Sequence, residues 1–429
     1  MAIGIVELLN LKFLKLLPSR ISHYTKYRWP KLFAQLIKSI MVAIMRPFGE
    51  VVVSPFEVHH TDSELCELTK LLRSLSGETR VVMEATGNYH LPVAWLLNDS
   101  GFYVSVVNAM LVHDYGNNCL RRTKTDKKDA IKLANYGLDH WLTLPRYVPE
   151  EDTRLMLKNC YRQYQQYSKV HTMLKNNLIS LLDTAFPDAN RLFSSPPRAD
   201  GSEKWVDFVT IFWHCECVCS SSEKAFVAKY QKWCKKHGYN FSEDKALDIY
   251  VSACGHFGIM PKTDTAKLLV EQAVAQLRAT SAALAALKQE MQSLAAALPE
   301  YPVVMKMFGI GPALGPQLMA EIGDVRRFHS KKALVAFAGI DAPPNDSGQV
   351  VGKSKGISKI DSAQLRRTLF LVMTVYLQSA PADEPVYQFM DKKRAEGKLY
   401  RVYMMASANK FLRIYYASVK AYLDSLDAA

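Results

Sequence analysis

Thr79-Arg80-Val81-Val82-Met83-Glu84-Ala85-Thr86-Gly87-Asn88-Tyr89 decides how the first half of this 429-residue chain is read. Apolar residues flank a single carboxylate, and Thr86-Gly87-Asn88 is a turn signal. A short apolar run closed by a turn reads as a buried strand, here over residues 79–85. A carboxylate at the end of such a strand is costly unless it is paired or binds metal. Glu84 is therefore the first candidate ligand.

Working outward, residues 42–45 and 51–58 read as two strands around a Pro-Phe-Gly turn. Thr61 and Glu64 form a capping box before Leu65, Leu68, Leu72 and Leu75, which recur at helical spacing. A helix over 91–98, a strand over 103–107 and a helix over 126–137 opened by Thr125 complete an α/β unit spanning 41–150. Residues 1–40 form an atypical segment, basic and apolar, with Glu7 its only acid and short helices expected over 6–17 and 29–40.

Asp126 and Asp129 lie three apart on the expected helix and share one face, beside Lys124, Lys127 and Lys128. Taken alone, each aspartate is explained by a helix N-terminus or a lysine partner. With Glu84 they make a set of oxygen donors of the kind that holds divalent cations in phosphoryl transfer, and magnesium suits such donors.

A helical linker follows over 151–299. It opens with a helical stretch rich in Tyr, Gln and Lys, and Tyr161, Tyr164 and Tyr167 read as a packing stripe rather than a base-stacking face. Residues 194–202 are a Pro/Ser loop and 203–262 a helical insert. The insert's His214, Cys215, Cys217 and Cys219 lack paired Cys-x-x-Cys units and read as core and surface thiols rather than a zinc site. Residues 264–298 form one long helix in which Val270, Leu277, Leu284, Met291 and Leu298 recur every seventh position. That is a coiled-coil seam, and its partner is either another helix of the same chain or a second copy.

The C-terminal region, 300–429, reads as a helical domain. Phe308-Gly309-Ile310-Gly311-Pro312 between apolar helical stretches resembles a helix-hairpin-helix, whose backbone N–H groups at Gly309 and Gly311 would face a phosphate. Ser347-Gly348 lies in an irregular loop followed by Lys353, Lys355 and Lys359, then Arg366. Beside such cations a serine can attack phosphorus, although on local sequence alone an ordinary turn serine is the favoured reading.

Lys and Arg number 54 against 41 Asp and Glu, a net charge of +13 that favours a polyanionic partner. The apolar stretch over 32–45 is too short and broken to span a bilayer, and the start lacks a signal-peptide pattern. A cytoplasmic protein with reduced thiols and no membrane partner is expected.

The segments Met83-Glu84-Ala85-Thr86-Gly87-Asn88-Tyr89, Val106-Val107-Asn108, and Arg121 with Lys124-Thr125-Asp126-Lys127-Lys128-Asp129-Ala130 resemble the RuvC-like domain of insertion-sequence one-ten transposases. Pilin-gene invertases are similar. Residues 308–324, Phe337-Ala338-Gly339-Ile340, Ser347-Gly348, Gly356-Ile357-Ser358-Lys359 and Leu365-Arg366 resemble that family's C-terminal transposase domain. The resemblance implies an RNase-H-like fold with four acidic metal ligands in the order Asp, Glu, Asp, Asp, of which Glu84, Asp126 and Asp129 match the last three. It implies Ser347 as nucleophile in DNA strand cleavage and rejoining, and magnesium as cofactor. DNA contacts are expected from Arg121, Lys124, Lys127, Lys353, Lys355, Lys359 and Arg366. It further implies a homo-oligomer, dimer or tetramer, and a structured guide RNA.

The family's first aspartate has no counterpart shortly before Met45, where the chain reads Ala34-Gln35-Leu36-Ile37-Lys38. Ala2-Ile3-Gly4-Ile5 resembles the start of such a strand but continues as Val6-Glu7, and Glu7 replaces the aspartate only if the intervening residues loop out. The expectation is an incomplete metal site with weak or no activity. Two other readings follow: a nucleic-acid binder without catalysis, and a RuvC-like nuclease using water.

Overall fold

The computed structural model describes residues 2–8, 39–85, 89–115, 125–342, 346–347, 350–351 and 356–428, and divides into two units, 1–149 and 150–429. The first unit is built on a five-stranded sheet: β1 (Ala2–Leu8), β2 (Ile40–Met45), β3 (Val51–Val58), β4 (Glu78–Glu84) and β5 (Tyr103–Val107), in the order β3-β2-β1-β4-β5. β2 and β3 form an antiparallel hairpin, β4 and β5 are parallel, and β1 runs parallel to β2 and antiparallel to β4. β3 is an edge strand and carries Pro55, which an interior strand would not tolerate. The Pro-Phe-Gly turn places Phe48 at φ 65°.

Alternation along the strands divides the core into two faces. Ile40, Val42, Ile44, Val81, Met83 and Val104 pack under α1 (Asp62–Arg73) and α2 (Leu91–Asp99), meeting Leu65, Leu68, Leu72, Val93 and Leu97. Ala43, Val82 and Val107 face the other way, onto Val112 of α3 (Ala109–Tyr115) and onto Ala130 and Leu133 of α4 (Asp126–Asp139). Each such buried aliphatic side chain contributes about 1.5–3 kcal/mol. At α1 only half of the expected capping box forms. Thr61 Oγ1 accepts from Glu64 N–H, but the Glu64 carboxylate accepts from His59 N–H at 2.7 Å.

The N-terminal expectation needs correction. Residues 6–8, expected to begin a helix, belong to β1, at the centre of the sheet; the rest of that expected helix, and nearly all of the one over 29–40, lie outside the described residues. Ile40 opens β2. A run of alternating or fully apolar residues has no intrinsic preference strong enough to resist pairing on both sides by strands.

The second unit is organised by two long antiparallel helices, α5 (Asp152–Ala185) and α10 (Asp264–Ala296). The heptad seam of α10 therefore packs on α5 of the same chain. Leu178 and Leu182 meet Val270, Ala273 and Leu277 at one end, within a core shared with α6 (Lys204–Val209), α7 (Glu216–Cys219), α8 (Glu223–His237) and α9 (Glu243–Gly255). At the other end Leu157 and Tyr161 meet Met291, Ala295 and Leu298 in the C-terminal core. Between them His171 Nε2 and Ser281 Oγ lie 3.1 Å apart. Tyr161 is buried and its hydroxyl lies 2.7 Å from Thr368 Oγ1, a packing role, while Tyr167 is exposed. His214 is bonded at both ring nitrogens, to the Met260 carbonyl and to Glu216 N–H.

The C-terminal core joins α11 (Tyr301–Met305), α12 (Leu314–Ile322), α13 (Lys331–Phe337), α14 (Ala363–Ser379), α15 (Pro385–Ala395) and α16 (Tyr400–Asp427); between α13 and α14 in sequence stands a two-strand ribbon, β6 (Asp346–Ser347) and β7 (Val350–Val351). The Arg154 guanidinium and the Glu300 carboxylate form a buried two-contact ion pair that fastens the start of α5 to the residue before α11. Among the described residues no helix is long and apolar enough to cross a membrane.

Candidate active site

Glu84 ends β4 half-buried, and Ala85 N–H continues the ladder to the Val107 carbonyl at 2.9 Å. Because Val82 packs onto α4, alternation puts Glu84 on the same face. α4 starts where Thr125 Oγ1 accepts from Lys128 N–H at 3.3 Å, with Asp126 and Asp129 in its first turn. Asp126 and Lys127 are exposed and Asp129 half-buried. The chain just after α4 is tied to the opposite end of the sheet: Tyr103 Oη donates to the Leu144 carbonyl at 2.6 Å, and Arg80 donates to the Trp141 carbonyl. α4 thus runs back across β1, β2 and β4, and its N-terminus with both aspartates lies toward the carboxyl end of β4, where Glu84 sits. Among the described residues, however, no three His, Cys, Asp or Glu side chains form a group that could hold a metal ion.

The register of β1 sets Glu7 well away from Glu84 along the sheet. Glu7 stands opposite Thr79, and Ile3 opposite Met83. Five residues of strand, about 17 Å, separate Thr79 from Glu84. The carboxylate that sequence reasoning missed on Glu84's row is Glu57, paired with Met41, which pairs in turn with Ala2. Three strand spacings, about 14 Å, keep it from sharing an ion with Glu84. Glu57 accepts a hydrogen bond from Ser39.

Ser347 belongs to the second unit. It pairs with Val350 across the antiparallel strands β6 and β7. Arg121, Lys124, Lys353 and Lys355 lie outside the described residues. Lys359 is exposed at φ 57°, with its N–H on the Gly339 carbonyl at 3.0 Å. Arg366 Nη1 donates to the Ala338 carbonyl at 3.0 Å, binding the start of α14 to the end of α13. Gly339 permits that approach: a Cβ there would stand 2.2 Å from the Ile360 carbonyl oxygen and 2.4 Å from Arg366 Nη1.

Sequence reasoning also missed the anchor beneath this segment. Buried Glu321 accepts from Ser362 Oγ at 2.7 Å and pairs with Arg162 at 3.0 Å; Ser362 itself caps α14. The signal was present: a lone acid inside Leu318-Met319-Ala320-Glu321-Ile322 must find partners. Between α11 and α12, Gly309 (φ 74°) lies against the Tyr376 ring, 2.8 Å from where a Cβ would be, whereas a Cβ on Gly311 would meet open space. Gly309 thus has a packing role, and Gly311 is the more open of the two glycines.

A family model described as DEDD_Tnp_IS110 transposase matches residues 38–187, and one described as transposase of the IS116/IS110/IS902 family matches residues 301–388. The pilin gene-inverting protein of Moraxella bovis is 24% identical over 341 residues, 79% of this chain and 80% of that protein. The insertion element IS110 43.6 kDa protein of Streptomyces coelicolor is 20% identical over 378 residues, 88% and 90% of the two chains. The insertion element IS900 42 kDa protein of Mycobacterium paratuberculosis is 30% identical over 119 residues, 28% and 29% of the two chains. A DEDD-type domain implies a divalent metal. With two independent domain matches, in the same order as the carboxylate and serine motifs and together covering more than half of its length, the chain belongs to the IS110 family of insertion-sequence transposases.

Proposed function

We propose that this protein cleaves and rejoins DNA strands, with Ser347 as nucleophile and Glu84, Asp126 and Asp129 as donors to a divalent ion. The observation that carries the reading is the direction of α4, whose first turn points to the end of the sheet that Glu84 occupies. Magnesium is the proposed ion because every donor is a carboxylate oxygen. Ser347 Oγ would attack phosphorus and displace the ribose oxygen, and the resulting phosphoserine ester conserves the bond for rejoining. Lys359 and Arg366, with Lys353 and Lys355, would hold the flanking phosphates, and Arg121, Lys124 and Lys127 those near the carboxylates. Residues 41–150 are read as the RNase-H-like domain, 151–299 as the linker and 300–429 as the transposase domain with its helix-hairpin-helix. A structured guide RNA, a dimer or tetramer, and action in the cytoplasm complete the proposal.

A second reading has one observation in its favour. Glu7 pairs with Thr79 and not beside Glu84, so the register of the described residues gives Glu84 no neighbouring fourth carboxylate on β1, which favours a copy that binds nucleic acid without cutting it. Covalent trapping separates the two. Full-length protein, DNA from the element's ends, the adjacent noncoding RNA and magnesium are incubated and denatured. A DNA-linked species that disappears in Ser347→Ala supports cleavage through the serine. No linked species, where an intact relative links under the same conditions, supports the binder.

A further inference from the structure

Residues 188–300 fall between the two matched family segments, and the helical insert there holds a cleft of about 280 Å³. Its wall carries two cations set around one ring. Arg198 Cζ stands 4.0 Å from the Tyr239 ring centre, and its Nη2 donates to the carbonyls of His237 and Gly238 at 2.8 and 3.2 Å, so the guanidinium is held by the end of α8. Lys204 Nζ lies 5.0 Å from the same ring and 4.9 Å from that of Phe193. Ser195 and Asn240 add polar groups at the rim.

The nearby acids are committed elsewhere. Glu203 binds Lys175 and the Trp205 indole, Asp207 binds Tyr239 Oη and Arg278, and Asp200 accepts from Ser202 N–H. Among the described residues Lys204 has ring faces but no carboxylate partner, and burial, with Lys245 and Arg198 nearby, holds its ammonium below the usual lysine range. A half-buried ammonium beside a pre-positioned guanidinium, in a cavity at the small end of ligand sites, suits an anion the size of a phosphate ester. In a chain of net charge +13 from a transposase family, the abundant phosphate ester is a nucleic-acid backbone.

We infer that the Arg198–Lys204–Tyr239 cleft of the insert is a nucleic-acid contact, holding one backbone phosphate of an unpaired strand outside the catalytic residues. It is independent of the cutting chemistry, since binding alone tests it. The probe is a short fluorescent single-stranded oligonucleotide, as DNA and as RNA, titrated with full-length protein by anisotropy at several salt concentrations. Lys204→Met keeps the stem against the rings and removes the charge. It is expected to weaken binding about tenfold and to make the salt slope shallower by about 0.7, one phosphate on a single strand. Lys204→Arg should restore most of the loss, and Lys232→Met, on the exposed face of α8, should change neither quantity. Reductive methylation of Lys204, read by mass spectrometry on the unmutated protein, should slow when oligonucleotide is bound. Equal affinity and slope in Lys204→Met, equal effects of Lys232→Met, or unslowed methylation overturns the inference. Competition by AMP but not adenosine supports it, while equal competition by inorganic phosphate overturns the assignment to a strand.

Discussion

Replacing Arg154 by Met strands a carboxylate. Glu300 is 1% exposed, and both its oxygens are taken by the Arg154 guanidinium, itself 6% exposed. Removing one member of such a pair costs about 3–5 kcal/mol, because the other charge stays buried without compensation. The two single variants should differ. Arg154 keeps a second carboxylate at the rim, Glu151 at 3.4 Å, whereas Glu300 has no second cation partner among the described residues. Arg154→Met is expected at the upper end of that range and Glu300→Leu at the lower end. The double variant, apolar on both sides, should regain the loss and match or exceed the parent by about 1–4 kcal/mol, since desolvating two ions offsets much of their attraction. Urea unfolding followed by far-ultraviolet circular dichroism gives the four midpoints of the cycle. A double variant as unstable as Arg154→Met would refute the argument, and so would an Arg154→Met within about 0.5 kcal/mol of the parent.

Gly339→Ala forces a Cβ onto the Ile360 carbonyl at positive φ, with an expected cost of about 2–4 kcal/mol and loss of DNA joining; unchanged stability by thermal melting would contradict the geometry. Leu277→Ala should destabilise the second unit by about 2–5 kcal/mol, with the same loss relative to the parent at every protein concentration, because its partner seam is α5 of the same chain; a loss that changes with concentration would place the seam between copies. Thr125→Ala removes the cap of α4 and should cost about 1 kcal/mol, visible as faster hydrogen exchange in its first turn; unaltered exchange would count against the cap. Burial first, then the hydrogen bond to Asp139 and its charge, push the Tyr115 phenol up from 10.0 to about 12. The folded state holds that proton more tightly, so this contribution is fully present below pH 10 and is lost as pH rises through about 12. A phenolate titration with its late component absent in Tyr115→Phe checks it, and an unchanged titration would refute it.

Periodicity and punctuation read directly from the chain located most elements of the described core. Residues 103–107 form the strand their alternation suggests, and Thr125 caps a helix starting at Asp126, because a β-region hydroxyl before an acidic first turn has few other uses. The seven-residue repeat of α10 and the proline that follows it likewise marked one long helix ending close to Leu298. The family, too, was legible, since its motifs are local runs of residues.

Pairing was not legible. An apolar run such as Ala2–Leu8 carries no information about which neighbours it will take or in which direction it will run, and strand order and register arise only from contacts distant in sequence. That is why Glu7 read as a possible ligand and yet stands at the wrong end of the sheet. The same holds for Gly309, whose need for glycine comes from the Tyr376 ring, and for Lys204, whose setting depends on Tyr239 and Phe193 from other segments. The sequence by itself determined the kind of each element and the inventory of carboxylates, serine and cations, because these depend on neighbours within a turn or two. The tertiary structure decided which end of the sheet each carboxylate occupies, that α10 pairs with α5, and which cations are already bound, because burial and partnership are set by chain segments that sequence proximity does not bring together.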